Sequence, residues 1–451
     1  MLMTLNLKTP FHIKQILMTK FSILFLCVFL NTSYQNDDLD KEFSNYEKER
    51  VQLNIPHYGY SYLVNFSTIE PIDTLFSFKK FYEKYDSIFK QFDRNKLSID
   101  DKINLDHLQY IISLQLKRFS LEISFKQQND TVSNKGLYTL KDHDDWYKYY
   151  AKLYTSLETD PDEMFKYGEV ELKKVKEEIN RIKKQMGYEH RDEAFYTYLK
   201  SEKFYLTKTN KIEKKYREKE SVIRKNLHKL FQNTEVPKFV ITPSIGTSNS
   251  VSPGSYSHSN NSFVYNFSDG KQNERLMSFL IIHEGIPGHH YQFSLKAKNK
   301  INKPAFAQNI SYSGNTEGWA SYTESLGKEL GLYQSPEEEL SKWEWDLVRS
   351  LRLMLDVGLH YYGWSTDKAF AFWTENIKGQ DDIAYREITR VIYWPGQSLS
   401  YKIGARKIEE FKSRLHITDS TIKKFHSVFL SFSAEPLEVI EKNIVEAYNA
   451  R

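Results

Sequence analysis

The sequence predicts a mainly α protein with one small β-ribbon, and three observations lead there. Long stretches carry apolar residues at helical spacing with few interrupting glycines. Strand signals are sparse outside residues 238–267. A content of 40% hydrophobic and 15% aromatic residues over 451 positions is ample for a large core.

The first 33 residues read as a targeting segment. Lys14 and Lys20 precede the apolar run Phe21–Leu30, and the polar stretch Asn31–Asp38 follows. The run is too short to span a bilayer. Translation from Met18 would give the segment more usual proportions. Cys27 is the only cysteine, and the bulky Phe25 and Leu26 before it make a poor lipid-attachment signal. The expectation is export, periplasmic or secreted, with lipid anchoring through Cys27 as the lesser alternative. Once the segment is removed, the chain has no thiol chemistry and no stable membrane span.

Residues 34–235 form an N-terminal helical region, with its clearest periods at Thr74–Phe92, Asp106–Phe125, Trp146–Met186 and Asp192–Phe231. The Pro-, Ser-, Gly- and Asn-rich stretch Thr242–Asn261 is the one organisational boundary. It leads into a second region, 236–451, that is expected to pack with the first as one unit, since no repeat or low-complexity linker separates them. Ser262–Phe267 alternates aromatic or β-branched residues before the turn signal Ser268-Asp269-Gly270, and Lys238–Thr242 is its candidate partner strand. An edge here could receive an extended peptide as one more strand; the alternative is a plain connecting hairpin.

Charge excludes little but does argue against nucleic acid. The 63 basic and 59 acidic side chains are interspersed. The densest basic run, Lys211–Lys229, contains Glu213, Glu218 and Glu220 and reads as a solvated, internally paired helix face.

The chemistry concentrates at HEGIPGHH, residues 283–290, directly after the mostly apolar run Leu276–Ile282. His283, Glu284, His289 and His290 can coordinate a metal or move protons; the plain alternative is an ordinary helix surface with a capping His. The spacing is not HExxH, in which a helix sets two His one turn apart. Pro287 stands four residues after His283, donates no amide to its carbonyl and crowds it. The Pro287-Gly288 pair should therefore bulge the helix and still return a later His to the first one's side. His289 is the better second ligand and His290 the runner-up, because an unbroken helix would set His283 and His290 about 10 Å apart along its axis.

A hydrolytic zinc site takes three protein ligands and keeps one position for water. The next strong carboxylate is Glu317 in GNTEGWASYTESLG, 28 residues after His289. Gly314 and Asn315 read as a break, Thr316 as a cap and Glu317 as the opening of a helix, with Glu324 two turns on as a supporting partner. Either carboxylate could equally be solvated.

These motifs, together with the segments 146–188, 252–269, 351–370 and 387–404 in this order, resemble a bacterial "domain of unknown function 885" family of predicted zinc peptidases. Its members are distant relatives of the gluzincins with the signature HExxPGH. The resemblance implies a large helical zincin-like metallopeptidase holding one Zn2+. His283, His289 and Glu317 would be its metal ligands and Glu284 its general base. Asp356, His360, Arg390, Gln397 and Tyr401 fall on positions that recur in the family. Tyr401 or His360 would be the further catalytic donor to a tetrahedral oxyanion. Arg390 and Gln397 would bind substrate, Arg390 gripping a carboxylate, unless it only pairs with Glu387. Val391 departs from the pattern, which leads one to expect an aromatic, and the chain is shorter than expected.

The leading expectation is thus an exported zinc peptidase in which Glu284 deprotonates metal-activated water, acting as a carboxypeptidase or on short peptides. The alternatives are a metal-dependent hydrolase of another amide or ester, and a non-catalytic helical binding protein. An intact Glu284 argues against the last.

Overall fold

Aromatic residues at three- and four-residue spacing make the first helical pair. Helix α1 (Ile72–Phe89) turns Leu75, Phe78, Phe81, Tyr82, Tyr85 and Phe89 inward. These pack against α2 (Ile99–Gln127), whose start is fixed by Ser98 accepting from the Asp101 N–H. The computed structural model describes residues 38–59, 61–244, 252–299, 303–308, 310–378, 381–432 and 435–450. The expected targeting segment, with Cys27, and residues 245–251 of the expected boundary lie outside the described residues.

Two long helical stretches are divided. Residues 146–186 fall into α3 (His143–Thr155) and α4 (Pro161–Gln185). Ser156, in the left-handed region at φ 55°, ends the first helix. Asp160 caps the second through the Glu163 N–H, and Pro161 occupies its first turn, where a missing N–H costs nothing. Residues 192–231 likewise break at Tyr205–Leu206, a strand pair with Gln272–Asn273, before α5 (Thr209–Asn226). Local breakers overrode a continuous period in both places.

The ribbon is a three-stranded sheet. Strand β1 (Val240–Ser244) runs parallel to β3 (Ser262–Asn266), and β2 (Gly254–Ser257) pairs antiparallel with β3 on its other side. Val240–Thr242 of the expected partner pairs with Ser262–Val264, but in parallel and so not as a hairpin, and Ser262–Asn266 is the central strand. Its Phe263 and Tyr265 are buried, with Phe263 edge-on to Tyr216 of α5 at 4.9 Å. The two edges belong to β1 and β2, and it is β2 that lines the cavity described below.

Then follow α6 (Met277–Leu280), α7 (His289–Asn299), α8 (Ser313–Glu324), α9 (Pro336–His360), α10 (Asp381–Tyr393) and α11 (Leu399–Arg414). Helices α8 and α11 approach closely where Gly318 meets Gly404: a Cβ on Gly318 would lie 2.6 Å from the Gly404 Cα. One buried apolar cluster joins Phe119 and Tyr216 to Leu280, Trp319 and Phe429, so the core crosses residue 235. The protein is mainly α, and among the described residues no helix is long and apolar enough to cross a membrane.

Candidate metal centre

The apolar run ends in a widened turn. Ile281–Gly285 forms a π-helical turn, with the Ile286 N–H donating to the Ile281 carbonyl at 3.1 Å, five residues back. The Ile286–Pro287 peptide is cis, and the Gly288 N–H donates to the Ile282 carbonyl at 2.9 Å. Only glycine fits at 288, since a Cβ there would lie 1.9 Å from the His283 carbonyl oxygen. The Trp319 indole clamps the turn by donating to the Pro287 carbonyl at 2.8 Å. The chain folds over its own widened turn, and α7 starts at His289.

This brings the expected ligands together. His283 Nε2 and His289 Nε2 lie 3.5 and 3.4 Å from the same Glu317 oxygen, Oε2. One donor atom from each of the three residues lies within 4.8 Å of the others. Donors held about 2.0–2.1 Å from a zinc ion at tetrahedral angles stand about 3.4 Å apart. Two edges of the donor triangle already have that length, and two imidazoles with one carboxylate suit zinc chemically.

Glu317 reaches the site differently from the expectation. Helix α8 already begins at Ser313, so Gly314 and Asn315 lie inside it and do not break the chain. A Cβ on Gly314 would meet the Thr155 carbonyl oxygen at 2.2 Å. The glycine is there for close packing on the end of α3. Two turns beyond Glu317's own, Glu324 Oε1 meets His283 Nδ1 at 2.7 Å, while its Oε2 accepts from Arg349 Nη1 at 2.7 Å. Glu324 thereby orients the first imidazole, as supporting carboxylates do around metals. His289 Nδ1 is buried without a hydrogen-bond partner among the described residues. Its ring is held by packing, perpendicular to His283 at 4.9 Å.

His290 points elsewhere. Its Nε2 donates to the Pro237 carbonyl at 2.9 Å, its Nδ1 lies 3.2 Å from Tyr256 Oη, and its ring packs on Phe239. It fastens α7 to the sheet.

The cluster is charged in the sense a cation requires. Burial would lower the His283 pKa, but hydrogen bonds to Glu317 and Glu324 push it up to about 10. Burial would likewise raise Glu317, but His289 and His283 hold it well below the usual carboxylate range. Glu324, beside Arg349 and His283, sits at about 2. Glu284 goes the other way, raised by its burial. Protons on imidazole thus balance the carboxylates where a divalent ion could.

A cavity of about 300 Å³ opens over these groups. His283, Glu284, His289 and Glu317 line it, as do edge strand β2, Trp345, Tyr401 and three arginines, Arg349, Arg352 and Arg390. The Tyr401 ring lies nearly parallel to His283 at 6.4 Å. Its Oη accepts from Arg390 Nη2 at 3.2 Å, with Gln397 Nε2 at 3.5 Å, and Arg390 Nη2 also donates to Gln397 Oε1 at 2.8 Å.

A family described as bacterial protein of unknown function (DUF885) matches residues 125–444. The chain belongs to this family. Two solved structures are similar in fold. One is a "putative lipoprotein" from Colwellia psychrerythraea, at 22% identity and a TM-score of 0.62, covering 84% of this chain and 69% of that one. The other is "a putative lipoprotein of unknown function" from Shewanella oneidensis, at 16% identity and a TM-score of 0.65, covering 92% and 98%. No curated protein matches the chain.

The remaining positions that the resemblance singled out divide between cavity and scaffold. His360, expected as a candidate catalytic donor, is scaffold: its Nδ1 accepts from the Leu137 N–H at 3.1 Å and its Nε2 donates to the Val391 carbonyl at 2.9 Å. Both nitrogens are used and the ring is fully buried away from the cavity, so this expectation is corrected. Asp356 accepts from the Tyr147 hydroxyl and the Gly396 N–H, anchoring the turn that leads to Gln397 and Tyr401. Val391 is core and does not line the cavity, so its departure from the family pattern leaves the cavity wall untouched. Glu387 forms a bidentate pair with Arg352, at 2.6 and 2.7 Å, and not the expected alternative pair with Arg390. Sequence reading did not single out Arg349 and Arg352. The signal was there: charged residues inside the otherwise apolar, buried stretch of α9 are rare without a specific partner.

Proposed function

We propose that this DUF885 protein is a metal-dependent hydrolase, with zinc as its ion and peptides as its substrates. The observation that carries the reading is the pair of 3.4–3.5 Å donor separations in one cavity wall with the Glu284 carboxylate. A divalent ion bound by His283, His289 and Glu317 would supply Lewis acidity, activating water and polarising a carbonyl. Glu284 takes the proton of the attacking water and passes it to the leaving amine. Tyr401 accepts hydrogen bonds from Arg390 and Gln397, which leaves its own hydrogen free to meet the oxygen on which negative charge develops.

The edge strand favours peptides over other amides or esters. Among the described residues β2 pairs only with β3, and Gly254, Ser255 and Tyr256 line the cavity. An extended peptide can add there by main-chain hydrogen bonds. Export is our reading of location, supported by the Phe21–Leu30 run; the relatives' description as lipoproteins keeps anchoring through Cys27 as its alternative.

The test is turnover. Zinc-loaded protein incubated with a mixed peptide pool should release fragments detectable by mass spectrometry. Glu284→Gln, with zinc retained, should lose at least about 10²–10³-fold in rate, since only the base is removed. Full activity in that variant would refute the mechanism.

A further inference from the structure

Three arginines line the cavity, and their partners distinguish them. Arg349 is bound to the Glu324 carboxylate and Arg352 is clasped on two nitrogens by Glu387. Both are thereby neutralised by the protein. Arg390 is hydrogen-bonded to no carboxylate, and Glu387 and Glu317 act on it only at longer range. Its two hydrogen bonds, to Gln397 Oε1 and Tyr401 Oη, both leave from Nη2 and both end on neutral oxygens. Nε and Nη1 have no acceptor among the described residues. Gln397 and the Trp394 ring, 5.6 Å from the guanidinium, hold the side chain in place. A positioned guanidinium on a cavity wall, hydrogen-bonded to no carboxylate and with its Nε and Nη1 hydrogens unspent, can give a substrate carboxylate a charge-assisted hydrogen bond.

We infer that Arg390 is a specificity-determining residue that binds the free C-terminal carboxylate of a peptide, making the protein an exopeptidase acting at C-termini. The inference rests on the metallopeptidase reading above and narrows it. The carboxylate would sit beside Tyr401, which Arg390 contacts, so the scissile carbonyl and the terminal carboxylate lie within one cavity of about 300 Å³. A cavity of that size suits a short C-terminal product. Side-chain carboxylates of internal Asp or Glu share the same chemistry, and the experiment separates the two sources.

The zinc-loaded full chain is given three peptides of one sequence: with a free C-terminus, with a C-terminal amide, and amidated but with Glu as the residue before last. For the wild type, kcat/KM for the free acid should exceed that for the amide by at least about 10-fold, the scale of a lost hydrogen bond to a charged group. In Arg390→Gln that ratio should fall to near one, with bound zinc unchanged. The ratio is the readout because a general loss of activity through a displaced Tyr401 would lower both rates together and leave it standing. Wild type that cleaves acid and amide within threefold overturns this inference alone and leaves the hydrolase reading intact. Rescue of the amide by the internal Glu, or a discrimination that survives in Arg390→Gln, also overturns it. Protein that binds no zinc and cleaves none of the three overturns both.

Discussion

Histidines of identical chemistry do opposite work in this chain, and only their neighbours separate them. His283 lies between two carboxylates, which hold its proton. His360 lies between a backbone amide and a backbone carbonyl, and burial pushes it down to about 4. The stability consequence has a definite sign. The unfolded chain titrates this ring near 6.5, so between about pH 4 and 6.5 it binds a proton that the native state does not. Stability is therefore fully present above pH 6.5 and lost as the pH falls towards 4, by on the order of 3 kcal/mol. In urea unfolding at pH 7 and pH 4.5, His360→Gln should be less stable than wild type at pH 7 and lose less on acidification. An equal acid loss in both proteins would remove His360 from the acid sensitivity. A histidine at helical spacing carries no mark of which environment awaits it, which is why the sequence expectation for His360 failed. His283 and His289 were legible because four chemically active side chains fall within eight residues around a helix-breaking Pro-Gly.

Elements meet at the candidate metal centre through glycine. Glu317 is placed by α8, and α8 is placed by its closest approach to α11 at Gly318 and Gly404. Gly318→Ala would set a methyl group 2.6 Å from the Gly404 backbone, and separating the helices should cost about 1–3 kcal/mol in thermal unfolding. Zinc affinity should fall in the same variant, because the neighbouring Glu317 moves with the helix. Since Gly404→Ala disturbs the same contact, the double variant should be less destabilised than the two single costs combined. Unaltered stability in Gly318→Ala would show that the interface yields at no cost. Close packing of this kind was not readable: Gly314, with Asn315, looked like a break because the end of α3 that it faces lies far back along the chain. The edge strand was hidden for a related reason, as Gly254–Ser257 has no β-branched residue to announce it.

Across the whole molecule, the helical class and the cluster of His283, His289 and Glu317 follow from local pattern, whereas the cavity does not. Its walls come from the π-turn, α7, α8, α9, α10, α11 and the sheet edge, joined through ion pairs such as Arg349–Glu324 and Arg352–Glu387. Arg349 and Arg352 of α9 and Arg390 of α10 line the cavity, and only their bonding partners distinguish Arg390 from the other two. What the fold accomplishes as a unit is to hold His283, His289 and Glu317 on three different pieces of backbone within reach of a single ion. The most direct test is metal stoichiometry by elemental analysis, after zinc loading and desalting, for the wild type, His289→Ala and His290→Ala. We expect one zinc per chain in the wild type and in His290→Ala, and none in His289→Ala. Zinc retained by His289→Ala and lost from His290→Ala, or a folded wild type that takes up no ion, would contradict the metal centre described here.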